Sequence, residues 1–191
     1  MADTEAILMV DASASRIRFQ AFAVRPDNQI APLYDGRIAP IGGCARFLVR
    51  NPFGSRLLDK VYAPGEIADP GSAARQLSAW THSMHLHDRL LAIGHCIRAD
   101  KAAAGPVVRA DRALDGAEPI PAASVAVIQC FGSCPATKAQ FAVFGRDVVR
   151  DGAPAMREAG ARVLHFLKRR AHTNAAALAG ARVRCGARVK G

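Results

Sequence analysis

The sequence predicts an α/β domain organised around one mixed sheet. Three observations predict it: a strand–turn–strand pattern from Ile7 to Phe19, a run of short strands and turns reaching residue 62, and a later alternation of helical and extended segments. Strands first, then helix and strand by turns, is the order of an α/β fold with both antiparallel and parallel pairings.

The first stretch, ILMVDASASRIRF, carries four apolar residues (Ile7, Leu8, Met9, Val10) into Asp11 and the small polar turn Ala12-Ser13-Ala14-Ser15. A continuous apolar run bounded by turn residues reads as a buried strand. The alternation that follows, with Ile17, Phe19 and Phe22 apolar and Arg16, Arg18 and Gln20 polar, reads as a half-buried one. The hairpin therefore has a carboxylate and hydroxyls at its bend. Small side chains let backbone N–H groups approach an anion, and an aspartate there can hold the anion's metal ion. An ordinary surface hairpin is the other reading open on this stretch.

Arg25-Pro26-Asp27-Asn28 is a turn, and Gln29–Tyr34 a third strand that Arg37–Ile41 extends in the same sheet. Arg46–Arg50 is short and apolar, Asn51-Pro52-Phe53-Gly54-Ser55 is a turn signal, and Leu57–Tyr62 returns. After a loop from Pro64 to Gly71, Ser72 opens a helix with Ala73, Ala74, Leu77, Trp80 and Met84 near helical spacing. Asp88 breaks it, and Arg89–His95 reads as another buried strand. Pro106-Val107-Val108 is extended, Asp111–Leu114 starts a helix cut off by Gly116, Pro119 and Pro121, and Ser124–Gln129 (SVAVIQ) is expected as the last strand.

The net charge of +10 is unevenly placed. From Arg157 onward nine basic residues face one acidic residue, Glu158, so the body is close to neutral. Two regions are expected: a domain over residues 1–156, and a basic Ala/Arg-rich tail over 157–191, helical or disordered. Lys168-Arg169-Arg170 and the final basic cluster can bind nucleic acid through phosphates. With Phe166 as the tail's lone aromatic, such binding would be nonspecific. Half of the residues are hydrophobic, yet no apolar run nears the ~18 residues of a membrane span. MADTEA resembles no export signal, and five cysteines without a C-x-x-C pair read as reduced thiols, so a cytoplasmic protein that avoids membranes is expected. His82 and His85 are spaced to share a helical face as metal ligands, or simply to sit in the last turn of a helix. Cys130 and Cys134 have poor zinc spacing, and Cys96 and Cys130 read as inert buried thiols.

ILMVDASASRIRF, LLAIGHCIRADKAAAGPVVRADRAL and SVAVIQCFGS, in this order, resemble the N-terminal half of the acetate kinase family. Those proteins belong to the superfamily of sugar kinases, heat-shock chaperones and actin. The three stretches stand where the family has a strand with N-A-G-S-S-S and I-K-F, then A-[IV]-G-H-R with a P-V-V-x-D-D segment, then V-A-V-F-D-T-A-F-H. The resemblance covers roughly residues 5 to 150 and implies a ribonuclease-H-like (actin-type ATPase) fold, N-terminal half only, with a mixed sheet and flanking helices. It implies phosphoryl transfer from ATP to acetate or a short carboxylate, with ATP and Mg2+ as cofactors. Residue by residue, Asp11 would hold Mg2+ or water, Ser13, Ser15 and Arg18 would contact phosphate, and His95 and Cys96 would stand in the substrate pocket.

Departures from the family pattern define the rest of the expectation. The arginine expected after His95 is Cys96, and a thiol supplies no forked, permanently charged donor. In the third motif Gln129 and Ser133 replace an aspartate and a histidine, and a helix and loop between Leu114 and Ser124 read as deleted. No G-x-G-S phosphate loop follows Gly160. A degenerate enzyme with little or no turnover is expected, with pairing through the missing half, to itself or to a separate C-terminal half, as a way to complete it. The alternative is a noncatalytic binding module, and the abrupt Ala/Arg/Gly composition of the tail also fits a frameshifted gene.

Overall fold

Strand β1 (Ala6–Ser13) and strand β2 (Arg16–Val24) form the hairpin expected from the sequence, with Asp11 opposite Arg18 and Ser13 opposite Arg16. The chain is seen in a computed structural model that describes residues 4–98, 107–110, 114, 120–132, 139–144 and 153–186, with side chains in the last segment from 154 to 171. Expectations placed on Asp111, Ser133, Cys134 and the side chains of the final basic cluster fall outside it.

From β2 the sheet runs antiparallel through β3 (Ile30–Ala39), β4 (Arg46–Arg50) and the edge strand β5 (Arg56–Val61). On the other side of β1 lies β6 (Leu90–Ile97), and further out are β7 (Val107–Arg109) and β8 (Ala139–Phe144). The order is β5-β4-β3-β2-β1-β6-β8-β7; β6 and β8 run parallel to their inner neighbours, and β7 is antiparallel to β8. This is the mixed α/β sheet that the pattern of elements predicts.

Helix α1 (Pro70–Ser83) starts two residues before Ser72. Asp69 is its N-cap, and Ser72 completes a capping box, with its amide donating to Asp69 Oδ1 at 2.7 Å. The stretch Ser124–Gln129 is not a strand. It lies within helix α2 (Ala122–Gly132), whose buried residues Ala123, Ser124, Val127, Ile128 and Phe131 recur at helical spacing. A short apolar run without a polar face does not separate the two periods, and the chain's packing decides. The late strand is β8, ten residues further along the chain than Gln129 at its start.

Helix α3 (Ala153–Gly186) runs through the boundary expected between residues 156 and 157. The pleat of β1 divides the interior. Leu8 and Val10 point toward α1 and α2, joining Phe19, Phe47, Leu77, Trp80, Val127 and Phe131. Ile7 and Met9 point the other way, joining Phe22, Phe141, Val143, Met156, Ala159 and Val163 under α3. Gly94 on β6 lets α3 approach, since a Cβ there would lie 2.4 Å from Met9 Sδ and 3.3 Å from Val163 Cγ2. No helix among the described residues is long and apolar enough to cross a membrane.

Candidate phosphate-binding site

Side chains alternate across a sheet, so register decides which polar residues meet. Asp11 shares the α3 side of β1 with Ile7 and Met9, but it lies beyond them, near the strand's end and inside the strand rather than in the turn. It is 5% exposed. Burial pushes its carboxyl above the ordinary carboxylate range, and the charges of Arg16, Arg18 and Arg98 pull it back. Arg16 Nη2 stands 3.8 Å from Asp11 Oδ2, and Arg18 is the residue directly opposite Asp11 on β2.

Ser13 points to the same side as Asp11, and its hydroxyl donates to the Arg16 carbonyl at 3.3 Å, bracing the turn. Ser15 is exposed in the turn itself, and its carbonyl accepts from the Ile41 amide at 2.8 Å. Asp11, Ser13 and Arg18 are thus brought together at one end of the sheet, with Ser15 at the adjoining bend.

His95 and Cys96 part company. Adjacent strand residues face opposite ways, and His95 enters the α2 side, where Nε2 lies 2.8 Å from Gln140 Oε1 and Gln140 Nε2 donates to the Ile128 carbonyl at 3.1 Å. Complete burial lowers its pKa to about 4, so it is neutral and ties β6, β8 and α2 together. Cys96 opposes Asp11 in the parallel register and shares its face. Its thiol is buried and pushed well up by desolvation and by the Asp11 charge, so it is an inert neighbour of the carboxylate.

An arginine follows two residues after Cys96. Arg98 follows the end of β6, is exposed, and its charge reaches Asp11 without any rearrangement of the strand. From the sequence, Arg98 or Lys101 could compensate for the arginine absent at Cys96 only through a backbone rearrangement, and Lys101 lies outside the described residues.

A lone carboxylate ringed by three guanidinium groups does not suit a resident divalent cation. No group of three or more His, Cys, Asp or Glu poised for a metal occurs among the described residues. The donor set fits Mg2+ only as an ion carried in on phosphate, with Asp11 as its one carboxylate partner. His82 and His85 do not converge: α1 ends at Ser83, His85 adopts a left-handed backbone with φ of 49°, and the His82 ring stacks on His87 at 4.0 Å.

The basic side chains of this face also line a concavity of about 380 Å3, bordered by Arg16, Arg18, Asp35, Gly36, Arg37, Ala39, Leu48 and Arg50. Neither Arg37 nor Arg50 stands in any of the three motif stretches.

No protein-family model matches the sequence, and no curated protein matches it significantly. Among solved structures, a propionate kinase from Francisella tularensis subsp. tularensis SCHU S4 is similar in fold, with a TM-score of 0.52 and 17% sequence identity. The match covers 73% of this chain and 36% of that one, so the chain spans about a third of that kinase's length. The eight-stranded mixed sheet with flanking helices agrees with the actin-like fold of that kinase.

Proposed function

We propose that this chain is an acetate-kinase-like domain that keeps a phosphate-binding end on its sheet and has little or no phosphotransfer activity. One observation carries the reading: Asp11 is buried at the end of β1 with the charges of Arg16, Arg18 and Arg98 all acting on it. Phosphoryl transfer asks a protein mainly for positioning and for cations around the equatorial oxygens. Arg18 and Arg98 supply such cations, and Ser13 and Ser15 lie at the bend that faces them. In the ancestral reaction the γ-phosphoryl of ATP passes to a carboxylate oxygen, leaving ADP, and bound Mg2+ would supply charge neutralisation. Asp11 would orient that ion or its water.

Turnover is expected to be weak because Cys96 stands where the family pattern has an arginine, and a thiol supplies no permanent cation beside the phosphoryl group. The test is a thermal-shift titration with Mg·ATP, repeated on Asp11→Asn, beside an acyl-phosphate assay with ATP, Mg2+ and acetate. A saturable rise in melting temperature that Asp11→Asn diminishes is expected, with acyl phosphate at the no-enzyme level. Absence of any shift at millimolar nucleotide would remove the nucleotide, and turnover well above the blank would remove the claim of lost activity.

A binding role through α3 is the competing reading. Arg169 and Arg170 are exposed there, and the Arg170 guanidinium lies over the Phe166 ring at 5.6 Å. Sequence-independent retention of single-stranded nucleic acid that falls steeply with salt would favour it.

A further inference from the structure

We infer a second anion site, for a ligand carrying two or more adjacent phosphoryl groups, in the arginine-lined concavity on the open face of β2, β3 and β4. It goes beyond the reading above: it shares Arg18 with that site but adds Arg37 and Arg50 and needs no metal ion.

Register builds the site. Arg18 on β2 stands directly opposite Arg37 on β3, Arg37 is opposite Leu48 on β4, and Arg50 is the next residue along β4 on the same face. Leu48 is buried and makes an apolar floor beneath the guanidinium groups. Helix α3 covers the sheet at Met9, Phe22 and Cys96 but does not line this concavity.

Like charges placed directly across a sheet oppose each other, so Arg18 facing Arg37 is unfavourable unless something negative lies between them. Of the carboxylates on this face, two are held by other arginines, and the third, Asp35, keeps its charge in the lining and offsets one of its arginines. Asp59 accepts both forks of Arg46 at 2.6 Å and also pairs with Arg56 at 3.1 Å, while Asp11 lies by Arg16. Asp35, which faces Arg50 across the strands, accepts from Gln20 Nε2 at 3.1 Å. Among the described residues, no ion pair is made by Arg18, Arg37 or Arg50.

Three unpaired guanidinium groups on three neighbouring strands offer forked donors suited to phosphate oxygens. A volume of about 380 Å3 falls in the range of small-ligand pockets, roughly 300–1,000 Å3. Among the described residues no aromatic side chain lines the concavity, so they offer no platform for stacking bases. The geometry favours a compact oligophosphate, free or as the terminus of a nucleotide, over a nucleic-acid strand.

Isothermal titration of the full chain with inorganic tripolyphosphate, in EDTA and at physiological ionic strength, tests the proposal. One saturable site per chain is expected, weakened at least about tenfold by Arg37→Gln or Arg50→Gln. Both residues are exposed, and Trp80 fluorescence verifies that the variants fold. ATP binding in EDTA as tightly as tripolyphosphate, with adenosine failing, would support recognition of the phosphates alone.

Three results would overturn it: no saturable binding, affinity unchanged in both variants, or affinity lost on replacing Lys168, Arg169 and Arg170 by glutamine instead. Loss of tripolyphosphate binding in Asp11→Asn would do so too, by placing the anion at the hairpin end. Retention there, alongside a smaller Mg·ATP shift, separates this site from the previous one.

Discussion

Two buried titratable residues on adjacent strands pull the acid stability of this protein in opposite directions. His95 is held neutral with a pKa near 4, while in the unfolded chain it titrates near 6.5. Between those values the unfolded state binds more protons, so stability is full above pH 6.5 and declines by about 3 kcal/mol as pH falls to 4. Asp11 has its folded pKa raised, so across the interval above 3.8 the native state takes up the extra proton and gains stability as pH falls. Urea melts followed by Trp80 fluorescence should therefore show a midpoint that drops between pH 6.5 and 4. Asp11→Asn should raise the midpoint at pH 7 and make the acid decline steeper. A flat profile in that window would contradict the buried, neutral state of His95. The same residues show what a sequence can disclose. Asp11, Ser13 and Arg18 could be named together because they flank one short turn, whereas Arg37 and Arg50 gain meaning only from strand register, which no local pattern states.

Helix α2 is where local pattern and packing disagreed. SVAVIQ has the β-branched content of a strand, and its apolar residues leave no polar face to reveal a period of 3.6. The structure distinguishes the two conformations by side-chain burial: Val127 and Phe131 are fully enclosed, while Gln129 is exposed. Val127→Ser should therefore cost far more stability than Val125→Ser, since Val125 is only half-buried, and Phe131→Ala should cost about 3–5 kcal/mol in the same urea melts. Equal costs at 125 and 127 would contradict the helical assignment. The antiparallel strands, by contrast, were read correctly because turn residues punctuate them and alternation marks their two faces. At β6, Gly94→Ala is expected to cost about 1–3 kcal/mol, because the added methyl group must displace Met9 or α3. The capping box of α1 is worth about 1 kcal/mol, the loss expected on Asp69→Ala.

At the scale of the whole molecule, the sheet presents three environments: one face under α1 and α2, one partly under α3, and an uncovered region rich in arginine. The overall α/β order was legible from the sequence, as was the central hairpin. The role of α3 was not, because its Ala, Arg and Gly content reads as a detachable basic tail. Packing shows otherwise, with Met156, Ala159, Val163 and Leu164 buried against the sheet. Basic side chains on such a helix are the outward side of an element whose inward side holds the fold. Stopping translation at residue 156 would consequently do more than subtract charge. It would strip the roof from Met9, Phe22 and Phe141, and the product should sediment as aggregate, while glutamine replacements at Lys168, Arg169 and Arg170 should stay in the supernatant and melt cooperatively.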